Sequence, residues 1–252
     1  MFQGIYNSAA SADALQKWSD VVARNIGTGP IPGFKKDVVS FDAVAMGTIG
    51  FGDDGKSTQQ MAAYLPVPKG GISFIEGTIE YNREPRCFAI QGEGFFKLQR
   101  PDGSAVFTRD GQFHVSSTGQ LISKSGLPVV GETGPIQVLI DQGEISLNPE
   151  GRLFQGDQEI GVLTVYDVSD RSALRRTSGG FVVAPEREGT VDETMVEASE
   201  VKQGFLEMSN VSAIHEMIDL VTITNALQAN QKVIQTYDGL SDRAVQSLAP
   251  TS

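Results

Sequence analysis

The sequence predicts an α+β protein, with a mainly antiparallel and partly barrel-like β domain between two terminal helices that pair as a coiled coil. Twenty-six of the 28 glycines lie between Gly27 and Gly204, and no proline occurs from Glu186 to Ala249. Because these residues break regular structure most strongly, the ends are predicted to be helical and the middle turn-rich. Apolar residues recur at helical spacing in both ends and at every second position between them. The predicted divisions are residues 1–36, 37–70, 71–204 and 205–252.

The N-terminal segment predicts an amphipathic helix over residues 3–26. Its apolar residues recur every three or four positions, and charged residues occupy the opposite face. Glycine and proline follow within six residues, so the helix ends near Gly27 and passes into a stiff, extended elbow, residues 27–36. We interpret Phe34 as seated in a groove, with a basic anchor at Phe34–Lys36 as the alternative. The apolar face consists of Ala12, Leu15, Trp18, Val22 and Ile26.

Residues 37–70 show no strong period, and we interpret them as a flexible linker or as induced structure. From residue 71 to 202 the period becomes two, with turn signals such as Pro101–Gly103 at short intervals, which is typical of an all-β module. The predicted strands are 88–91, 95–99, 106–109, a pair around Thr118-Gly119, 129–130, 136–140, 144–147, 152–155, 160–168 and 180–183.

The C-terminal segment predicts a helix of roughly 35 residues, about 50 Å long. Ser209 and Asn210 are natural N-cap residues. A helix of this length cannot cover its apolar side on a small β module, so it needs another helix. Asn230 interrupts the apolar seam, and it either fixes the register of a coiled coil or faces solvent just off the seam. The apolar positions form two runs, Val211, Ile214, Ile218 and Val221, then Ile223, Leu227, Ile234, Tyr237 and Leu240.

The charge pattern argues against two classes of partner. The formal net charge is −11, and most of the excess lies in residues 71–204, with twenty acidic against twelve basic residues. A surface poor in Lys and Arg disfavours nucleic acid and anionic membrane surfaces. The sequence contains no run of about 18 apolar residues, so no membrane insertion is predicted. No cleavable secretory signal is visible near the N-terminus, which normally means cytoplasmic unless a dedicated export machine reads an uncleaved N-terminus.

The chain offers few residues for catalysis or for ligation. One cysteine and two histidines are too few for a metal site of nitrogen and sulfur ligands, and one cysteine excludes an internal disulfide. Gly92–Phe95 lacks the third glycine of a dinucleotide loop, so a hairpin or bulge is favoured. We therefore expect no catalytic residues, no cofactor and no metal. The weighed candidates were Cys87, His114, His215 and the pair Glu76 and Glu80.

Five segments carry recognisable motifs in chain order. They are Asn25-Ile26 followed by G-F-K at Gly33–Lys35, F-A-I-Q-G-E-G-F-F at Phe88–Phe96, F-T-R-D-G-Q-F at Phe107–Phe113 followed by Gly119–Leu121, Q-G-F-L-E-M-S-N-V at Gln203–Val211, and Glu216-Met217 followed by Ala229–Thr236. Together they resemble the bacterial flagellar rod and hook protein family across nearly the whole chain. The length and the stretch Gly131–Ile136 are most similar to proximal rod members, with distal rod members second.

The resemblance implies a structural function without enzymatic activity. Family members leave the cell through the flagellar type III export apparatus without signal cleavage, and they polymerise helically across the periplasm into the drive shaft that transmits motor torque. Their terminal helices form a coiled-coil inner layer, and the β domain faces outward. The expected partners are other rod subunits, further copies of the chain and the export apparatus, in a basal body that spans the periplasm.

The resemblance and the apolar stripes together predict an assembly interface. Alternatives within the family are a distal rod or hook-type axial subunit. Alternatives from other classes are a β-rich glycan-acting enzyme, which would need paired carboxylates in a concave pocket, and a secreted oligomeric binding module. The predicted interface consists of Leu15, Trp18, Val22, Asn25, Ile26, Gly33, Phe34, Val211, Ile214, Ile218, Val221, Leu227, Asn230, Ile234, Tyr237 and Leu240.

Overall fold

A computed structural model describes residues 2–51, 59–139, 143–187, 189–196 and 199–248. The chain divides into two compact units, each built from separate stretches of sequence. We call them the helical unit, which is Met1–Gly27, Asp37–Ser73 and Ser212–Ser252, and the β unit, which is Thr28–Lys36 and Phe74–Val211. The elbow therefore belongs to the β unit, although most of the N-terminal helix does not.

The helical unit contains both long helices and a β hairpin. Helix α1 spans Phe2–Thr28 and helix α2 spans Ala213–Leu248, in agreement with the predicted helical ends. Helix α1 ends where Gly29 and Pro30 follow, as breaker residues require. Helix α2 begins three residues after Asn210, whose side chain accepts from the Lys36 N–H and donates to the Ile75 carbonyl oxygen. No helix in the described ranges is long and apolar enough to cross a lipid bilayer.

Two paired strands occupy residues 37–51 and 59–72, where the sequence indicated a linker or induced structure. Strand β1 spans Asp37–Phe51 and strand β2 spans Gln59–Ile72, and they pair antiparallel from Asp37↔Ile72 to Phe51↔Gln59. The register shifts between Ala45 and Thr48. A register shift interrupts the alternation of a strand, so a single period of two does not run through the whole of β1. This irregularity hid the strands from pattern analysis.

The β unit consists of short strands. The described strands are β3 Ile79–Tyr81, β4 Phe88–Gln91, β5 Phe95–Gln99, β6 Ala105–Thr108, β7 Phe113–Val115, β8 Leu121–Ser123, β9 Val129–Gly131, β10 Gly134–Pro135, β11 Ile145–Leu147, β12 Arg152–Gln155, β13 Gln158–Val162, β14 Val165–Val168, β15 Leu174–Thr177, β16 Gly180–Val183, β17 Glu193–Met195, β18 Glu200–Gln203 and β19 Phe205–Glu207.

These strands form several small antiparallel sheets and no closed barrel among the described residues. The largest sheet has the order β10-β9-β5-β6-β16-β15, with β14 paired to β5 and β17 paired to β14. The smaller sheets are β11-β12-β13, β18-β4, β19-β3 and β7-β8. Closure requires the first strand of a sheet to pair with the last, and here the order ends at β10 and at β15. The barrel-like part of the prediction is therefore wrong.

Two predicted strands differ in extent. Over 136–139 the predicted strand is reduced to an isolated bridge between Gln137 and Gln120, and Ile140 lies outside the described residues. The strand predicted over 160–168 is divided into β13 and β14. Strands β3 and β19 were not predicted, because they pair with each other across more than 120 residues of sequence and carry no local turn signal.

The core of the β unit is apolar and includes the motif Phe88–Phe96. Phe88, Ile90, Phe96 and Leu98 are completely buried or nearly so, and each contributes roughly 1.5–3 kcal/mol of burial free energy. The remaining cluster members are Val106, Phe113, Leu121, Val129, Ile136, Val138, Ile145, Leu153, Leu163 and Val165.

Candidate functional site

Helix α2 carries apolar residues on two opposite faces. Ile223 is completely buried, whereas Ile214 is 72% exposed. These residues are nine positions apart, which is two and a half turns of helix and therefore places them on opposite sides. We call the less exposed row the inner stripe, which is Leu220, Ile223, Leu227, Ile234 and Tyr237. The exposed row is the outer stripe, which is Ile214, Met217, Ile218 and Val221. Val233 and Leu240 are also exposed, but they lie beside Tyr237 at the edge of the inner stripe.

The inner stripe has coiled-coil spacing. Its members follow one another at alternating intervals of three and four, with Asn230 at the position between Leu227 and Ile234. Asn230 is half-buried. Its role in helix register stays a prediction. The two runs predicted from sequence thus divide between the faces. Ile214, Ile218 and Val221 lie on the outer stripe, Leu227, Ile234 and Tyr237 lie on the inner one, and Leu240 lies beside Tyr237.

The predicted face of α1 is covered within the helical unit. Val22 and Asn25 are buried, and Leu15, Trp18 and Ile26 are half-buried. The Trp18 ring meets the ring of Phe41 on β1 edge to face, with centroids 5.8 Å apart. This geometry is favourable for aromatic pairs.

Asn25 joins three elements of the helical unit. Its Nδ2 donates to the Asp37 carbonyl oxygen at 2.8 Å and to Glu216 Oε2 at 3.1 Å. Its Oδ1 accepts from the Asp37 backbone N–H at 3.0 Å. Both Asn25 and Glu216 are completely buried. One amide therefore holds the last turns of α1, the first turn of α2 and the first residue of β1 together.

The elbow is docked on the β unit through Gly33 and Phe34. The Gly33 N–H donates to the Glu207 carbonyl oxygen at 2.7 Å, and the Gly33 backbone has a positive φ of 68°. Phe34 is half-buried, with the Arg176 guanidinium 4.1 Å from its ring centroid. Arg176 Nη2 also donates to the Lys35 carbonyl oxygen at 2.6 Å. The predicted interface residue Val211 is half-buried at the end of this unit.

Three charged side chains meet inside the β unit. Lys35 Nζ contacts Glu207 Oε1 at 2.6 Å, and Arg109 Nη1 contacts Glu207 Oε2 at 3.0 Å. None of the three side chains is more than 3% exposed. We call Lys35, Arg109 and Glu207 the buried charge triad. Burial lowers the pKa of Lys35 by desolvation, although the Glu207 carboxylate acts in the opposite direction.

Backbone groups form further hydrogen bonds with the side chains of the triad. Lys35 Nζ donates to the Ile75 carbonyl oxygen at 2.8 Å, and the Gly77 N–H donates to Glu207 Oε1 at 2.9 Å. Arg109 Nη2 donates to the Gly92 carbonyl oxygen at 2.7 Å. Such additional hydrogen bonds are what makes a buried charge cluster tolerable.

The sequence analysis did not identify the triad as a unit. Its members stand in three of the motifs, Gly33–Lys35, Phe107–Phe113 and Gln203–Val211, but the nearest two are 74 positions apart in sequence. Lone charges in a motif are normally interpreted as solvated. Only Glu207 stands between apolar neighbours, Leu206 and Met208, whereas Lys35 and Arg109 each adjoin another charged residue.

Cys87, His114 and His215, the candidate catalytic residues, have the following environments in the structure. Cys87 is buried, accepts a hydrogen bond from Asn82 Nδ2 at 3.3 Å, and burial raises the pKa of its thiol, which lowers its nucleophilicity. His215 Nδ1 lies 2.8 Å from Ser212 Oγ at the start of α2, and His114 is exposed. Within the described ranges, no group of three or more His, Cys, Asp or Glu side chains is placed to hold a metal ion.

A surface cavity of about 520 Å³ bears on the glycan-enzyme alternative. Its described lining includes Val115, Val138 and Gln155, and Glu144 is the one carboxylate among these lining residues. Glycoside hydrolysis requires a pair of carboxyl groups across the scissile bond. The cavity therefore gives this alternative no support.

Comparison with known proteins gives two family matches. Residues 89–155 match the family described as flagellar hook protein FlgE/F/G D1 domain. Residues 202–247 match the family described as flagellar basal body rod FlgEFG protein C-terminal. The first match covers strands β4 to β12, and the second covers β19 and most of α2.

A full-length relative decides the family. The flagellar basal-body rod protein FlgF of Rhizobium meliloti is 32% identical over 250 residues, which cover 98% of each chain. The chain belongs to the flagellar basal-body rod protein family. Membership in this family makes it a structural protein of the flagellar basal body and not an enzyme.

Other rod-protein relatives refine the placement. FlgF of Escherichia coli is 28% identical over 263 residues, covering 99% of each chain. FlgG of Bacillus subtilis is 26% identical over 263 residues, covering 97% of this chain and 98% of its own. The resemblance predicted from the motifs, to FlgF first and FlgG second among the rod proteins, is confirmed.

Proposed function

We propose that this chain is a proximal rod subunit that polymerises with other rod subunits and with itself into the torque-transmitting shaft. The exposed outer stripe of α2 carries this proposal. Contiguous exposed apolar surface in a soluble protein marks an interaction site. Here it runs along α2, within the residues 202–247 that match the rod-protein C-terminal family.

The outer stripe supplies a driving force for assembly. Each Ile, Val, Leu or Met side chain moved from water into an interface contributes up to roughly 1.5–3 kcal/mol. Ile214, Ile218 and Val221 are each more than half exposed, so most of that free energy is still available in the subunit. A second helix with the same spacing is the natural partner for such a stripe.

The inner stripe and α1 supply the coiled-coil part of the proposal. The helices share the buried contact between Asn25 and Glu216, and both have apolar positions at heptad-like spacing. The inner stripe then serves the subunit's own helix pair, and the outer stripe serves its neighbours. For a helical array the outer stripe has to contact a different surface of the neighbouring subunit, because contact between two outer stripes would close as a dimer.

Export and location follow the same proposal. A subunit of this kind reaches the basal body through the flagellar type III apparatus without signal cleavage, and it contributes to a rod that spans the periplasm. A distal rod or hook-type axial subunit would use the same surfaces, so the position along the axis has to be decided by experiment.

The test places one negative charge on the outer stripe. Ile218→Glu should abolish incorporation into isolated basal bodies and reduce swimming, because a carboxylate cannot be buried between apolar helices. Gln231→Glu adds the same charge at an exposed position flanking both stripes and is the matched control. Both proteins should keep the wild-type circular dichroism spectrum. Normal incorporation of folded Ile218→Glu would contradict the proposal.

A further inference from the structure

The buried charge triad contains two cations and one anion. An isolated buried charge is destabilising by several kcal/mol unless an opposite charge and hydrogen bonds compensate it. Glu207 provides that compensation for both Lys35 and Arg109, one carboxylate oxygen to each. Nε of Arg109 is buried without a hydrogen-bond partner, so the guanidinium depends all the more on Glu207.

The docked half of the elbow has no strand or helix of its own. Residues 33–36 belong to no regular element. Several of their hydrogen bonds are to residues in the C-terminal part of the β unit. Besides the Gly33 and Lys35 contacts to Glu207, the Lys36 N–H donates to Asn210 Oδ1 at 2.6 Å. Asn210 Nδ2 in turn donates to the Ile75 carbonyl oxygen at 2.9 Å. A short segment from the end of the β unit thus holds a short segment from its beginning.

We propose that Glu207 closes an electrostatic latch, so that residues 33–36 dock on the β unit only when the segment 205–210 is in place. Without the Glu207 carboxylate, docking the elbow would bury the Lys35 ammonium beside the Arg109 guanidinium with no anion between them. The elbow then stays undocked. The latch makes the attachment of the N-terminal end conditional on a residue in the last fifth of the chain.

The latch has an asymmetry that a simple packing role does not have. Glu207→Gln leaves two buried cations, whereas Lys35→Met leaves the Arg109–Glu207 pair intact and replaces an ammonium with an apolar side chain of similar length. Removal of the shared anion should therefore open the elbow, and removal of one cation should not. Combining both substitutions leaves a single cation and should restore part of the docking.

Hydrogen–deuterium exchange of the full chain tests this inference. In Glu207→Gln the amides of Gly33 and Lys36 should exchange at least about a hundred-fold faster, while amides of β5 and β6 keep their protection. Lys35→Met should change these rates less than ten-fold, and Glu207→Gln/Lys35→Met should recover at least about ten-fold. Glu159→Gln, which removes an exposed partner of Arg152, is the control and should change nothing at the elbow.

The competing outcomes are distinct. Unchanged protection of Gly33 and Lys36 in Glu207→Gln would overturn the latch, as would equal opening in Lys35→Met. If Glu207→Gln unfolds the whole β unit, the double variant decides. Recovery of a folded β unit on adding Lys35→Met supports the charge argument, and failure to recover overturns it.

Discussion

Gly33 combines a left-handed backbone with a very close neighbour. A Cβ at this position would lie 2.3 Å from the Asp110 backbone nitrogen, which is backbone and cannot move aside cheaply. A positive φ of 68° adds conformational strain for any residue with a side chain. The glycine in the G-F-K segment is therefore required by the docking of the elbow.

Gly33→Ala should destabilise the β unit by about 3 kcal/mol, from left-handed strain and the clash together. The matched control is Gly27→Ala in α1, where an added Cβ meets nothing within 4 Å. Alanine is favoured over glycine in a helix by roughly 0.5–1 kcal/mol, so the control should be neutral or stabilising. Urea unfolding of both proteins measures the difference, and equal midpoints would contradict the role assigned to Gly33.

Charged residues inside motifs were the hardest to interpret from sequence. Lys35, Arg109 and Glu207 belong to three separate motifs, and nothing in their local spacing indicates that their side chains are in contact. Long-range pairing of β3 with β19 brings Glu207 to the elbow, and no periodicity reports such a pairing. The apolar members of the predicted interface were easier, because helical spacing alone selects them.

At the scale of elements, the two faces of α2 have different physical roles. Both were visible as apolar runs, yet the sequence could not say which run is covered. Burial within the subunit separates Ile223, which is inaccessible, from Ile218, which is 58% exposed. Breaker residues predicted both helices, whereas the register shift in β1 hid strands β1 and β2.

Ile223→Ala should destabilise the subunit by about 2–5 kcal/mol, as large-to-small substitutions at buried positions do. Ile218→Ala makes the same chemical change on the outer stripe and should alter the stability of the free subunit by less than about 0.5 kcal/mol. The effect on incorporation into rods should have the opposite order, with Ile218→Ala weakening incorporation more than Ile223→Ala does. Thermal unfolding of the free subunits gives the first comparison, and equal losses would mean that the two stripes are not different surfaces.

In the whole molecule, successive stretches of the chain belong alternately to the helical unit and to the β unit. The helical unit takes both termini and the hairpin, and the β unit takes the elbow and the remaining middle. The chain passes between the two units after Gly27, Lys36, Ser73 and Val211. Assignment of the elbow to the β unit was not predictable, because it depends on buried contacts to Glu207 and Asn210.

The central claim is that the outer stripe of α2 contacts another subunit in the assembled rod. A photo-crosslinking amino acid at Val221, introduced in cells that build flagella, measures this contact directly. Illumination should give an adduct between this chain and a second copy or another rod subunit in isolated basal bodies, with far less adduct from the same probe at Asp102 in the β5–β6 turn. Basal bodies that incorporate the Val221 probe and yield no adduct with another subunit would contradict the account.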